Sequence, residues 1–314
     1  MDQQPGHKKI VLASRYHIIL LFVFVNTIVF AQSGFDTFLT PSDTLDAGRR
    51  NFVIGTETVL ATGTLVGLSQ VWYKDYPQSS FHFINDNNDW LQMDKVGHVY
   101  SSYHIGKAGF EALRWSGVSR QNSLVYGSTL GLAFLTVVEV FDGYSAEWGA
   151  SSGDMVANVS GTALFIGQEL LWKEQRIIPK FSFHQTHYAK LRPDVLGTSF
   201  QEQLLKDYNG QTYWLSANLY AFTKCNAVPK WFNVAVGYGA DGLVSGNGEA
   251  VPDLSGYPTR TRQFYLSFDV NLEKIRTKSH FLKTVFSLFN TIKIPAPAFE
   301  VNGLGKVKVH AFYF

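Results

Sequence analysis

One cysteine, Cys225, is all that the 314 residues contain, so no disulfide can form within the chain and the fold must rest on packing and hydrogen bonds. No block of basic residues occurs either. The 27 Lys and Arg set against 25 Asp and Glu leave a formal charge of +2, and their spread along the chain offers no concentrated positive face for nucleic acid. A glycine-rich phosphate loop and a dinucleotide fingerprint are both missing. The serines lack the Gly-x-Ser-x-Gly setting of a nucleophile elbow, which argues against a serine hydrolase. No internal repeat or low-complexity tract stands out.

What is present is apolar. Hydrophobic residues make up 46% of the chain, enough to bury the core of one large domain or two modest ones. Residues 1–31 read as an export signal: basic His7-Lys8-Lys9 and Arg15 precede an apolar run from Ile18 to Ala31, with small Val29 and Ala31 before polar Gln32. An uncleaved membrane anchor is the alternative, although the run is shorter than the ~20 residues of a spanning helix. Cys225 lies far from this signal, so a lipid-bearing amino terminus is not expected.

After a polar linker over residues 32–50, Phe52 to Trp72 carry one charge, Glu57, and read as a helix long enough to span a bilayer. Tyr73 to Trp90 read as an ordered loop. Helical spacing returns from Met93 to Trp115. A helix capped by Ser119 runs to about Phe141, where Gly143 breaks it, and another capped by Ser151 or Ser152 runs to Trp172. Beyond Pro179 the period falls to two. Thr212–Phe222, Trp231–Tyr238, Gln263–Leu272 and Lys306–Phe314 read as strands, with short helices at Ser199–Lys206 and Ser279–Asn290, the second stopped by Pro295 and Pro297.

In the third strand Phe264, Leu266, Phe268, Val270 and Leu272 alternate with Gln263, Tyr265, Ser267, Asp269 and Asn271, which predicts one apolar face and one wet face. These strands resemble those of outer-membrane β proteins, and an open sheet packed on the helices accounts for them equally well. Gly237 to Thr261 reads as a long loop. The fold class expected is α+β: a membrane-associated bundle of about four helices over residues 51–178, then an antiparallel sheet or partial barrel with short helices over residues 179–314.

Nearly every residue able to do chemistry lies between Asp94 and Asn158, in three clusters. Asp94 and His98 are four apart beside Lys95; Glu139 and Asp142 are three apart before Ser145; Asp154 and Asn158 are four apart after Ser151. Such spacings place each pair on one helix face, so the three pairs can meet in one polar pocket. Three uses fit. His98 can serve as general acid or base oriented by Asp94 or Asp154, with Glu139 as second acid–base group. His98, Glu139, Asp142 and Asp154 can bind a divalent metal. Or the groups form a structural network, with Asp94 and Asp154 capping helices, Ser151 and Asn158 cross-linking them and Lys95 paired with Glu139. His104 faces elsewhere, and His184 and His187 read as surface residues.

Asp94-Lys95-x-Gly97-His98, then Glu139-x-x-Asp142-Gly143-x-Ser145, then Ser151-x-x-Asp154-x-x-x-Asn158-x-x-Gly161 resembles the YfiM-like domain, described as a predicted periplasmic lipoprotein family, over residues 50–175. The same order is similar to that of VanZ-like membrane proteins, implicated in glycopeptide-antibiotic tolerance. The chain departs from the lipoprotein description because no cysteine follows the signal. The resemblance implies an envelope protein; a mean hydropathy near zero and the terminal strands favour the outer membrane or its periplasmic face, and the long apolar helices favour the inner membrane as the alternative. Its partner would be membrane lipid or envelope glycan. Its role would be binding or scaffolding around the polar centre, or hydrolysis or transfer on an envelope lipid or glycan precursor.

Overall fold

The computed structural model describes residues 34–74, 76–249 and 259–314. The export signal expected over residues 1–31 lies outside the described residues, as does part of the loop expected between residues 237 and 261. The chain divides into two units: residues 1–40 with 276–286, and residues 41–275 with 287–314. In the smaller, the Asp36 carboxylate accepts from Ser279 Oγ at 2.7 Å and from the Phe281 amide at 2.9 Å. The remaining elements belong to the larger unit.

Helix α1 spans Ala47–Leu68, with Asp46 accepting from the Arg49 amide at its start. It buries one side chain, Val53, against Leu113 and Val118. Phe52, Ile54, Val59, Leu60 and Val66 stay exposed. Helix α2 is Met93–Trp115, α3 is Arg120–Gly143 with a π turn at Ser123–Gly127, and α4 is Ser152–Leu171. Among the described residues α1 and α3 are long and apolar enough to cross a membrane.

Helix α2 lies between α3 and α4 at near-backbone contact. A Cβ on Gly106 would collide with the Ser128 carbonyl of α3, and one on Gly161 of α4 with the Ser102 hydroxyl of α2. Small residues allow this approach, and the Phe165 ring then fills the seam, 5.5 Å from both Tyr103 and Phe110. A two-residue parallel pair, β1 (Phe83–Ile84) with β2 (Ala150–Ser151), ties the loop before α2 to the start of α4.

The carboxy-terminal part is a six-stranded antiparallel meander: β3 Ile177–Phe183, β4 Gln211–Asn218, β5 Phe232–Asp241, β6 Thr261–Val270, β7 Ala296–Asn302 and β8 Val307–Tyr313, paired in that order. A flat sheet would hold β4 and β8 about 19 Å apart, at ~4.8 Å per strand. Yet Tyr313 Oη lies 2.9 Å from both Thr212 Oγ1 and Tyr265 Oη, so the sheet curls strongly. The outer edge of β3 is covered by the segment entering β7: Phe181 exchanges backbone bonds with Thr291 and Lys293 at 3.0 and 2.9 Å.

Four strands were legible in the sequence and two were not. Pro179 in β3 sits two residues from Phe181, so by the two-residue period its missing N–H points away from β4 and costs no bond to that strand. Pro297 in β7 falls at the register shift between Ala296 and Ala298. In the sequence Pro179 marks the start of the two-residue period and Pro297 is one of the prolines that stop a helix, so no strand is expected at either. The strand expected to reach Phe222 stops at Asn218, whose side chain caps the short helix Leu219–Thr223 by accepting from Ala221 at 2.8 Å. Gly237 to Asp241, expected as loop, complete β5.

The face expected to be wet is the one that is buried. Tyr265, Ser267 and Asp269 are buried, whereas Phe264, Leu266 and Phe268 are each half or more exposed. Within the curl, Lys180 and Asp269, both without solvent contact, pair at 2.8 Å. Ser216, Asn233 and Asn218 extend the network through bonds of 2.6 to 2.8 Å. Outside, Leu215, Val236, Phe264, Leu266, Phe268, Phe299, Val301, Val307 and Val309 are exposed. In water each such side chain, roughly half exposed, forgoes about 1 kcal/mol of burial. Together that is on the order of the ~5–15 kcal/mol net stability of a domain.

Candidate functional site

The polar residues meet where the first turns of α2 and α4 face the last turn of α3. Two devices set the angles. Trp90, Leu91 and Gln92 have φ of 48°, 51° and 64°, a left-handed turn that leads directly into α2. Ser151 caps α4, its hydroxyl accepting from the Asp154 amide at 3.2 Å, and donates to Asp86 at 2.6 Å. The Ser151 amide in turn donates to Glu139 Oε2 at 2.9 Å, so one residue links the loop, α3 and α4.

Lys95 Nζ lies 2.8 Å from Asp86 and 3.1 Å from Asp154, with Asp94 at 3.9 Å. His98 Nδ1 is 2.9 Å from Asn158 Oδ1. With the amide oxygen as acceptor, Nδ1 carries the proton and Nε2 is the free face of a neutral ring. Nε2 looks at Asp94 Oδ1 and Glu139 Oε1, each 3.8 Å away, too far for a hydrogen bond. Asp94 also accepts from Tyr208 Oη at 2.9 Å. Asp94, His98 and Asp154 each offer a donor atom, and the three lie within 4.8 Å of one another.

The charge does not balance. Asp86, Asp94, Glu139 and Asp154 supply four carboxylates; Lys95 supplies one cation, and His98 a second only when protonated. Burial pushes Asp154 up to about 7, Asp94 and Asp86 adding to the rise and His98 and Lys95 opposing it. Burial disfavours a charged His98, but Asp94, Asp154, Glu139 and the Asn158 bond outweigh it and raise its pKa. Asn158 is fully buried, and its Nδ2 has no partner among the described residues.

Four expected members are engaged differently. Asp142 accepts from Tyr73 Oη at 2.6 Å and is not among the clustered donors. Ser145 serves a turn, its hydroxyl accepting from the Glu147 amide at 3.3 Å. Lys95 pairs with Asp86 and Asp154 rather than Glu139, and Asp94 does not cap α2, whose first residues follow the left-handed turn without a side-chain cap. His104 bonds the Pro179 carbonyl at 2.7 Å, and burial lowers it to about 4.

Sequence reasoning missed Asp86 and Tyr208. Asp86 sits in Asn85-Asp86-Asn87-Asn88, whose polarity suggested only a loop. Tyr208 is 114 residues from its partner Asp94, beyond any local signal. Further along α2, roughly 14 Å from His98 at 1.5 Å per residue, Lys107 pairs with Glu273 at 2.8 Å and with Glu111 at 3.0 Å, and Lys274 pairs with Glu174 at 2.9 Å. There the charges meet partners of opposite sign.

No curated protein and no solved structure matches the chain. Residues 82–167 match the family described as predicted periplasmic lipoprotein (DUF2279). That segment holds Asp86 through Asn158, and the description fits an exported protein on the periplasmic side of the envelope.

Proposed function

We propose that this protein binds a divalent cation at Asp94, His98 and Asp154, with Glu139 as fourth ligand, at the outer membrane or its periplasmic face. The observation that carries the reading is the charge imbalance. Buried carboxylates are costly unless matched by cations or protons, and here two negative charges remain even with His98 protonated. A ligating His98 is neutral, which leaves three negative charges, and a +2 ion cancels two of them. The His98–Asn158 bond is the outer-shell contact that fixes a ligating imidazole, leaving Nε2 toward the ion. One nitrogen and several carboxylate oxygens suit zinc or manganese better than a thiolate-seeking metal. The aromatic antiparallel strands favour the outer membrane over the inner.

The test is calorimetric titration of the purified, chelator-treated protein with Zn2+ and Mn2+, beside His98→Ala and Asp154→Asn. One bound ion in the wild type and a loss of at least about tenfold in affinity in each variant is expected. No heat in the wild type, or equal affinity in the variants, defeats the reading. Separating the inner and outer membranes of expressing cells tests the location.

A second reading has its own observation. Asp154, pushed up by burial to about 7, exchanges its proton near neutrality, as acid–base catalysis requires, beside a His98 that, against burial, Asp94 and Asp154 hold above the ordinary histidine value. In that case His98, Glu139 and Asp154 would act on an envelope lipid or glycan precursor. Release of phosphate or sugar from such precursors by the chelator-treated protein, abolished by Glu139→Gln, separates it from the first.

A further inference from the structure

The register aligns Leu215, Val236, Leu266, Phe299 and Val309 into one exposed row across β4 to β8. On the opposite face these strands, with β3, hide the Lys180–Asp269 pair and the side-chain bonds of Ser216, Asn233 and Asn218. In water the two faces would be exchanged; next to hydrocarbon this is the stable order. The two central strands, β5 and β6, have 10 residues each, the ~9–11 that a tilted strand needs to cross the hydrocarbon layer.

We propose that the convex face of this sheet contacts lipid acyl chains. The proposal rests on the membrane placement above and is independent of the cation centre. A second copy of the chain is the competing occupant. Helix α1 argues for lipid over a protein partner, since Phe52, Val59 and Val66 form one exposed stripe while exposed Ile54 lies about 200° round the helix. A single flat protein surface covers one side of a helix, whereas lipid wets all of it. The sheet and α1 therefore need the same solvent.

The experiment uses the full chain with Cys225→Ser, and single cysteines at Val236, Leu266 or Phe299, with exposed Gln201 as the aqueous control. Each variant is labelled with bimane and reconstituted in phosphatidylcholine–phosphatidylglycerol vesicles. Acyl-chain-brominated lipid is compared with aqueous iodide as quencher. Labels on the row are expected to lose about half of their emission to brominated chains and none to iodide, with the Gln201 label behaving in the opposite way. Row labels quenched by iodide place the face in water and overturn the proposal. Row labels quenched by neither reagent assign the face to a second copy and also overturn it. Unlabelled wild type that still floats with the vesicles in either case leaves the membrane placement standing, so the two failures are distinguishable. Three separate positions guard against one variant that misfolds.

Discussion

Two buried polar regions invite comparison. Inside the sheet, Lys180 pairs with Asp269; Ser216, Asn233, Asn218 and the Ile294 amide extend the network, and a second buried lysine, Lys293, bonds the Ile294 carbonyl and lies over the Trp214 ring. Between the helices, four carboxylates crowd one lysine and one imidazole, and a buried amide nitrogen goes unpartnered. The first is sealed, with the Lys180–Asp269 pair out of solvent, whereas the second stays partly open, Asp94 keeping 31% exposure. In the first, each of the named charged and polar side chains has a partner; in the second, carboxylates outnumber cations and an amide nitrogen has no partner among the described residues.

That contrast can be broken most sharply at Asp269. Asp269→Leu strands the Lys180 ammonium and is expected to cost roughly 3–5 kcal/mol in denaturant unfolding of the detergent-solubilised protein, with most of the loss recovered in Lys180→Met/Asp269→Leu. A double variant as unstable as the single would show that the sheet network is not a closed pair.

At the helical centre the largest effect should come from adding a charge. A divalent ion at a hundred times its Kd is expected to stabilise the protein by about 2.7 kcal/mol, reversibly with chelator. The increment should grow with pH. A carboxyl whose folded pKa is raised, as Asp154 is, contributes stability that is complete below its unfolded value and is lost as pH rises through about 7. His98, raised above the ordinary histidine value, works in the same direction. Without ion the protein weakens between pH 5 and 8, while the ligands become free to bind. Thermal melts at the two pH values, with and without ion, check the sign.

Asn158→Leu removes the group that orients His98 and is expected to weaken the ion by roughly 10–100-fold, about 1.4–2.7 kcal/mol, without touching a ligand. The smallest effect is the most telling. Asp94→Asn keeps an acceptor for Tyr208 and removes one surplus charge, so in the absence of ion it should stabilise the protein by up to ~1 kcal/mol. Destabilisation instead would mean that the carboxylates are already matched.

The helical part was readable because its signals are local. Four-residue spacing placed Asp94 with His98 and Asp154 with Asn158, and Ser151 announced α4. Partners brought in by tertiary structure left no such trace, as Asp86 and Tyr208 show. In the sheet the alternation of Phe264, Leu266 and Phe268 revealed the strand and its two faces but not which one is inside. Periodicity carries no sign: the same pattern serves a sheet with a greasy core and one with a greasy exterior, and only burial of Lys180 and Asp269 resolves it.

The left-handed turn at Trp90, Leu91 and Gln92 acts on α2 like an indexing pin. Three side-chain-bearing residues in a region that costs roughly 1–2 kcal/mol each are held from outside, by the Gly246 carbonyl at Trp90, the Tyr238 hydroxyl at Leu91 and Arg262 at Gln92. Inserting or deleting one residue behind that pin would swing the helix by about 100°, carrying Asp94, Lys95 and His98 off their heading together. Strands β5 and β6 and the loop that follows β5 thereby determine the direction in which the helical half presents its charges.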